Sequence, residues 1–472
     1  MGNFAPPLTP IISDWMQSLI SNKGLLYDMI AKYGSPLHIN NSTKLIDNLR
    51  AFQKVMDKYG LNSKIFFARK PNHCTTFVKT AINNGFGIDT ASYQELKESL
   101  DFGGKNNIVF SAAIKENAAI ELAIRHNVTI ILDNFDELEQ IINISTRFNK
   151  TAQIGVRFTG FTNKNGQKTN SRFGFPIADS EQVLQKLSTY NNIILEGFHF
   201  HLGSYVAIDR SIAIYELLTV IKRAREMGHK KCNFIDIGGG FLVNYLVSKK
   251  EWEEFHEKLK SAILGSTPPI TFMNQPLHIH NINGEAKQVG SIYPYYSEKS
   301  KEQILDDVLS YEINGQSIAK YLISENIELR IEPGRSSLDQ CGITVAEVVY
   351  TKKDSQGQNI VGLNMNFTQL LSSSVEFGVD PVIIYKDHDS VDESEPTGVV
   401  FVGTYCMDRD TILKRIIRVG KLPKRGDLIV FINTAGYMSH FLATNSHLFN
   451  PPKNIFFNEK TNQFSLDSYN SN

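Results

Sequence analysis

Short apolar runs recur along the first two thirds of the chain, and most are followed by a stretch with the amphipathic spacing of a helix. Amphipathic stretches include residues 93–100, 117–126, 135–148 and 181–190. The runs predicted as strands are 64–70, 86–91, 107–112, 128–133, 152–158, 195–202, 233–237 and 328–332. About eight strand–helix units in even succession favour a closed (β/α)₈ barrel over an open doubly wound sheet.

The pattern changes after Arg335. Strand-like segments then follow one another with only short loops between them, which predicts a second, mostly β domain. These segments are 343–350, 359–365, 381–385, 399–402 and 427–432. We assign residues 41–335 to the barrel, and residues 1–40 and 336–472 to the β-rich domain, to which residues 36–39 are expected to add a strand.

The connection between Gly240 and Glu328 is far longer than one barrel helix requires. It contains a predicted hairpin at 278–289, centred on Asn283-Gly284, and a helix-like stretch at 302–309. We interpret residues 265–312 as an insertion above the catalytic face of the barrel. A peripheral decoration is the alternative.

Composition narrows the classes of partner. The 472 residues include 49 basic and 49 acidic side chains, and this balance gives no indication of a nucleic acid or an anionic membrane as partner. The four cysteines have no metal-type spacing, so we expect reduced thiols, a cytoplasmic protein and no metal site. The N-terminus has no signal-peptide pattern, and no apolar run is long enough to span a bilayer.

Lys70 ends the first predicted barrel strand and is followed at once by a polar turn. A low-dielectric strand end would lower the pKa of a lysine and leave its amine free to form a Schiff base with an aldehyde. A surface lysine closing the strand is the simpler interpretation of this residue alone.

The strand at 233–237 leads into Gly238, Gly239 and Gly240, whose backbone amides are able to surround a phosphate. The alternative is a tight turn.

The last strand ends at Glu332 and Arg335. A carboxylate beside a pyridine nitrogen strengthens the ring as an electron sink, and an arginine suits a phosphate or a substrate carboxylate. A structural ion pair is the alternative here.

His199 and His201 lie two apart on a strand and therefore point to one face. Metal ligation lacks a third ligand at useful spacing, so a flat imidazole stacked on a flat cofactor fits better, against the alternative of a buried core histidine. A lysine, a phosphate loop, a carboxylate and a stacking histidine at strand ends of one barrel together predict a pyridoxal 5′-phosphate site.

From about residue 35 to residue 454, the chain resembles the fold-type III pyridoxal-phosphate decarboxylases, the group of diaminopimelate, ornithine and arginine decarboxylases that share their barrel with alanine racemase. The segments that carry the resemblance are Phe67-Ala-Arg-Lys70, Asp89-Thr-Ala-Ser92, Ser171-Arg-Phe-Gly174, His199-Phe-His-Leu-Gly-Ser204, Gly238-Gly-Gly240, Glu332-Pro-Gly-Arg335, Tyr405-Cys-Met-Asp-Arg-Asp410 and Ala435-Gly-Tyr437.

The resemblance implies a role for each matching residue. Lys70 would carry the cofactor, His201 would stack on its ring, and Glu332 would meet its pyridine nitrogen. Cys406 would act as a catalytic group from the second subunit of a homodimer, accompanied by Asp410 as a substrate ligand. The cofactor set is completed by Asp89, Arg157, Ser204, Gly238, Gly239, Gly240, Arg335 and Tyr437, and Arg335 and Tyr437 are also candidate substrate ligands.

The chain departs from this family where substrates are recognised. Diaminopimelate decarboxylases carry a glutamate directly after the cysteine, and Met407 stands there. The acid and arginine expected within residues 361–371 are absent, as are the acids of the ornithine enzymes. We therefore expect decarboxylation of an amino acid or a carboxylated amine conjugate other than diaminopimelate. The alternatives are an amino-acid racemase, against which Glu332 argues, and a non-catalytic binding protein similar to antizyme inhibitors.

Overall fold

The structure is a computed structural model that describes residues 3–105, 107–290, 292–371, 376–386, 395–459 and 461–471. Its α-helices are numbered along the chain. They are α1 (Asp14–Ser21), α2 (Lys23–Tyr33), α3 (Ser42–Lys58), α4 (Thr75–Asn83), α5 (Tyr93–Asp101), α6 (Asn117–Arg125), α7 (Phe135–Phe148), α8 (Ser180–Leu187), α9 (Ala207–Glu226), α10 (Lys249–Ile263), α11 (Glu302–Ser310) and α12 (Ile318–Ser324).

The strands are numbered in the same way. They are β1 (Leu37–Asn40), β2 (Ser63–Ala68), β3 (Gly87–Thr90), β4 (Ile108–Phe110), β5 (Thr129–Leu132), β6 (Ala152–Thr159), β7 (Phe175–Pro176), β8 (Ile193–His199), β9 (Phe234–Asp236), β10 (Ile279–Ile282), β11 (Glu285–Gln288), β12 (Glu312–Ile313), β13 (Gln316–Ser317), β14 (Glu328–Ile331), β15 (Gly342–Lys353), β16 (Asn359–Leu363), β17 (Val382–Ile384), β18 (Thr397–Val402), β19 (Ile417–Val419), β20 (Leu428–Ile432), β21 (Lys453–Asn458) and β22 (Gln463–Leu466).

Eight of these strands form a closed parallel ring in the order β2-β3-β4-β5-β6-β8-β9-β14, and β14 returns to pair with β2. Each predicted barrel strand coincides with one member of the ring, so the barrel prediction is confirmed. The strands are parallel, and their carboxyl ends therefore meet at one mouth.

The opposite half of the barrel is filled by side chains. Phe66, Val109, Ile131 and Phe234 form a buried apolar cluster inside the ring. Gly197 on β8 pairs with Phe234 on the adjacent strand β9, and a β-carbon on Gly197 would overlap the Phe234 ring. Because this interior is packed rather than hollow, the polar strand ends are accessible only from the mouth.

The second domain is built on a mostly antiparallel sheet in the order β19-β18-β16-β15-β1-β21-β22, with β20 and β17 continuing from β15. The predicted β-rich fold is confirmed. The N-terminal strand, expected at residues 36–39, is β1; it pairs antiparallel with β15 and parallel with β21. Helices α1 and α2 pack their apolar side chains on this sheet.

The long connection before β14 contains a hairpin and a helix, which lie in different places. Its hairpin is confirmed: β10 and β11 join through Asn283 and Gly284, which have φ of 55° and 84°, as a two-residue type I′ turn requires. Helix α11 packs on α3 and α9 in the outer helical ring. Between them, Tyr293 reaches the barrel mouth.

The two domains meet beside Lys70. The Tyr437 N–H donates to the Pro71 carbonyl at 3.0 Å, and the Asn72 amide donates to the Ala435 carbonyl at 2.9 Å. After β22, the Asp467 carboxylate accepts the N–H of Thr76 at 2.9 Å at the start of α4. The β domain therefore holds the part of the loop that follows Lys70.

In the part of the chain that the structure describes, none of the helices has the length and apolar character needed to cross a membrane.

Candidate active site at the barrel mouth

A cavity of about 260 Å³ opens at the carboxyl ends of the strands. It brings together residues that follow β2, β8, β9 and β14 with residues of the β domain. Its walls include the sequence-predicted residues Lys70, His201, Gly239, Gly240, Glu332, Arg335 and Tyr437, together with Tyr205, Tyr293 and Phe441, which sequence reasoning did not select.

Lys70 follows β2, and its Nζ lies 3.3 Å from Asp89 Oδ2 at the end of β3. The Ser111 hydroxyl donates to the other Asp89 oxygen and holds that carboxylate in place. Burial acts to lower the pKa of Lys70, but the neighbouring acidic groups Asp89, Tyr437 and Glu332 outweigh it and raise the pKa above its usual value. The expectation of a lowered lysine pKa is therefore wrong for this arrangement: Asp89 holds Lys70 as a cation.

Glu332, His199 and Asp236 form a buried cluster on three adjacent strand ends at the floor of the mouth. His199 Nε2 lies 3.5 Å from Glu332 Oε2, and one ligand atom from each residue lies within 4.8 Å of the others. Burial raises the pKa of Glu332, while the positive charges of Lys70 and Arg157 oppose the rise. Burial also raises the pKa of Asp236 and lowers that of His199.

The glycine loop after β9 forms a narrow cradle. Gly238 and Gly240 have φ of 65° and 82°, a region that side chains disfavour. A β-carbon on Gly239 would lie 2.5 Å from the Glu332 carbonyl oxygen. The buried guanidinium of Arg210 donates to the carbonyls of Gly239 and Gly240, which fixes the loop. Sequence reasoning missed Arg210, whose available signal is a charged residue among the apolar positions of α9.

Arg335 crosses the mouth toward the β domain. Its Nη1 donates to the Gly436 carbonyl at 3.2 Å and to the Tyr245 hydroxyl at 3.3 Å. Its guanidinium lies 4.4 Å from the ring centroid of Tyr293 and 5.0 Å from that of Tyr437. This contact draws Tyr293 of the long connection into the site.

His201 separates this cavity from a neighbouring one of about 400 Å³, which is lined in part by Arg157 and Ser204. The Arg157 guanidinium lies 4.5 Å from the centroid of the Phe173 ring. The Ser204 hydroxyl donates to Asp209 Oδ2 at 2.7 Å. Both sequence-predicted residues thus border the second cavity, on the far side of His201 from Lys70.

Comparisons with known proteins agree with this geometry. Residues 43–273 match the family model described as the pyridoxal binding domain of pyridoxal-dependent decarboxylases. Residues 43–273 belong to the fold-type III pyridoxal-phosphate-dependent decarboxylase family. Its cofactor is pyridoxal 5′-phosphate. The match covers the part of the barrel that carries Lys70, His201 and the glycine cradle.

Relatives of this decarboxylase cover almost the whole chain. The y4yA protein of Sinorhizobium fredii is 29% identical over 93% of this chain and 92% of its own. Diaminopimelate decarboxylase of Buchnera aphidicola is 25% identical over 88% of this chain and 87% of its own. The crystal structure of diaminopimelate decarboxylase from M. jannaschii in complex with L-lysine has the same fold, with a TM-score of 0.70 at 18% identity, covering 93% of this chain and 91% of that one.

The residues at the mouth fit the cofactor of the family. A lysine amine suits an aldehyde, and a cradle that only glycine fits suits a phosphate. Glu332 Oε1 is buried and has no hydrogen-bond partner among the described residues, as expected for an oxygen that serves a bound ring nitrogen.

Cys406 and Asp410 lie elsewhere in the decarboxylase. Cys406 is exposed in the loop after β18 and is not among the residues that line its own Lys70 cavity. The buried Asp410 carboxylate accepts the N–H groups of Phe367 at 2.8 Å and Tyr405 at 2.6 Å. We therefore correct the expectation for Asp410: its oxygens order the loop around Cys406 rather than facing a substrate.

Proposed function

We propose that the protein decarboxylates an amino acid at the barrel mouth, with pyridoxal 5′-phosphate carried by Lys70. The observation that supports this most strongly is the meeting of Lys70 and Glu332 in one cavity, just after the two strands that close the barrel. One residue offers the amine for an aldehyde, and the other offers the carboxylate for a pyridine nitrogen.

The bound cofactor supplies an electron sink for the electron pair released when carbon dioxide leaves. Lys70 anchors it, and Asp89 beside Lys70 exchanges the proton that the amine must lose before it reacts. The imidazole of His201 offers a flat face to the ring. Gly238, Gly239 and Gly240, with Arg335 and Tyr437, bind the phosphate. Glu332 supplies the negative charge that favours a protonated ring nitrogen and so directs the site toward decarboxylation rather than racemization.

The substrate is proposed to be an amino acid other than diaminopimelate. Residues 361–371 contain no acidic or basic side chain. Within them, the Asn366 and Gln369 side chains are engaged with each other's backbone in a capping box, and the Thr368 hydroxyl donates to the Asn366 side chain at 2.6 Å. Neutral side chains engaged in this way offer no charge to the distal ammonium group of a diamino acid.

We further propose that the enzyme is a cytoplasmic homodimer in which Cys406 serves the partner's Lys70 cavity. The exposed position of Cys406 supports this, as do the exposed apolar side chains of Phe441, Leu442 and Phe449 in the β domain. An open mouth needs such a cover, since water must be excluded during the reaction. The four cysteines are all unpaired, which supports a reducing compartment.

A decarboxylation screen tests the proposal. Purified holoenzyme is incubated with D- and L-amino acids, diamino acids and carboxylated amine conjugates, and carbon dioxide and product mass are recorded. We expect release of carbon dioxide from at least one compound, abolished in Lys70→Ala. Inversion of an amino acid without carbon dioxide would favour the racemase, and an inability to retain pyridoxal 5′-phosphate would contradict the proposal altogether.

A further inference from the structure

His199 and Asp236 lie beside Glu332 at the ends of neighbouring barrel strands. They end the adjacent strands β8 and β9 and face each other in the strand register. Glu332 follows the next strand, β14, so the three side chains lie side by side. All three are almost completely buried.

The cluster contains an excess of unsatisfied polar atoms. Among the described residues, both ring nitrogens of His199, Asp236 Oδ2 and Glu332 Oε1 have no hydrogen-bond partner. Buried polar atoms are rarely left unpaired, because each orphaned group costs about 1–3 kcal/mol. A cluster of two carboxyls and one imidazole therefore requires a proton arrangement that pairs these atoms with one another.

The charges of the cluster and of its neighbours limit which of the two carboxyls holds a proton. Two ionised carboxylates this close in a buried site repel each other, so one of them is expected to hold a proton. Glu332 has the cations Lys70 and Arg157 nearby. Asp236 Oδ1 accepts the Gly238 N–H at 2.9 Å, and the cation near Asp236 is Arg330. The other charged groups around the cluster are Asp89 and Asp133, and His201 is the remaining titratable neighbour.

We propose that Asp236 stays protonated and, with neutral His199, supports a single negative charge on Glu332. Asp236 then provides an O–H donor within the cluster, and His199 provides an N–H donor to Glu332 Oε2, the atom 3.5 Å from its Nε2. Glu332 Oε1 remains for the cofactor ring nitrogen. His199 and Asp236 act as positioning residues, and the inference rests on the proposed function of Glu332.

The raised pKa of Asp236 and the lowered pKa of His199, both caused first by burial, agree with this arrangement. The arrangement also has a consequence for a variant of Asp236. Asparagine reproduces a protonated aspartate, since its oxygen accepts from Gly238 N–H and its amide donates. Replacing Asp236 by asparagine should therefore leave the charge of the cluster unchanged.

The test uses holoenzyme reconstituted with pyridoxal 5′-phosphate labelled with ¹⁵N in the ring. The ¹⁵N chemical shift, followed by solid-state NMR from pH 6 to pH 9, reports the protonation of the ring nitrogen and does not depend on turnover. His199→Phe removes the donor to Glu332, so the ring nitrogen should lose its proton about one pH unit lower or more. His199→Gln, which restores an N–H donor, should recover part of the shift.

Asp236→Asn should move the pH at which the ring nitrogen loses its proton by less than about 0.3 pH unit. This deprotonation is the transition that the variants are compared on. A shift of one unit in Asp236→Asn would mean that Asp236 is ionised, which overturns the proposal. An unchanged transition in His199→Phe would also overturn the proposal. A stoichiometric divalent metal bound by the three side chains would overturn it as well. If His199→Phe does not fold, Asp236→Asn and His199→Gln decide the outcome. Absence of any bound signal in the unaltered protein would instead refute the proposed cofactor function.

Discussion

Glu332 and Lys70 follow the last and first strands of the barrel, and they become neighbours because β14 pairs with β2. At this site, a carboxylate and an amine that are 262 positions apart in the numbering line one cavity. Burial raises the pKa of Glu332, and the positive charge of Lys70 opposes this rise. The charge on Glu332 therefore depends on the site being assembled.

Replacing Glu332 with glutamine should separate cofactor binding from catalysis. Glutamine keeps the shape of the side chain but removes its charge, so cofactor binding should persist while decarboxylation slows on the order of a hundredfold. The measurement is kcat on the substrate found by the screen, with cofactor content determined in parallel. Glu328→Gln is the matched control, since Glu328 lies on the same strand and pairs with Arg330. A parental rate in Glu332→Gln would show that Glu332 does not serve the ring nitrogen.

The residues that end parallel strands could be predicted from the sequence, because those ends must share one mouth. Lys70, His201, Gly239 and Glu332 belong to this class. Arg210 could not, because its role depends on carbonyl partners that lie on another element. Asp236 ends β9, but its role could not be predicted because it depends on His199 and Glu332 on the neighbouring strands. Asp410 was assigned by resemblance, and its backbone partners in the folded loop give it a different role.

At the scale of elements, β1 connects the N-terminal segment to both β15 and β21. Its His38 is buried, with Nδ1 2.9 Å from the Thr344 hydroxyl and its ring 5.6 Å from that of His440. Burial lowers the pKa of His38 to about 3. The unfolded chain therefore binds a proton at mildly acidic pH that the folded protein excludes.

This difference predicts an acid-sensitive β domain. The stability that neutral His38 maintains is fully present above the unfolded pKa of about 6.5 and is lost progressively as the pH falls toward 3. Between pH 7.5 and 5.5 the loss from this one residue is about 1.4 kcal/mol. Urea unfolding should show this part of the pH dependence removed in His38→Asn and retained in the control His126→Gln, which alters an exposed histidine. An identical pH dependence in both variants would exclude His38 as a cause.

The barrel strands and helices could be predicted from the sequence because their apolar runs are long and regular. Strands β21 and β22 and helices α1 and α2 were not predicted. Strand β21 becomes part of the sheet by pairing with β1, more than 400 positions earlier in the numbering, and a local pattern contains no information about such a partner. Helices α1 and α2 bury their apolar side chains only against the sheet thus completed.

At the scale of the whole molecule, Cys406 and Lys70 lie apart within one chain, whereas the proposed reaction requires them together. A homodimer with shared sites would provide this, and mixing two inactive variants tests it. Lys70→Ala and Cys406→Ala, allowed to exchange subunits, should regain up to about a quarter of the parental activity, because half of randomly paired dimers would contain one intact site.

The subunit exchange is checked by native mass spectrometry of differently tagged chains. Each variant measured alone is the control and should stay inactive at the same total concentration. If exchange is complete and no activity returns, Lys70 and Cys406 serve one site from the same chain.

The active site is identified most directly by the lysine that carries the cofactor. Holoenzyme reduced with borohydride, digested and mapped by mass spectrometry should contain the pyridoxyl group on Lys70, in the peptide that continues into Pro71 and Asn72. Lys115, which is buried in an ion pair with Glu137, should remain unlabelled. A pyridoxyl group on any other lysine, or none on Lys70, would contradict the assignment of the active site.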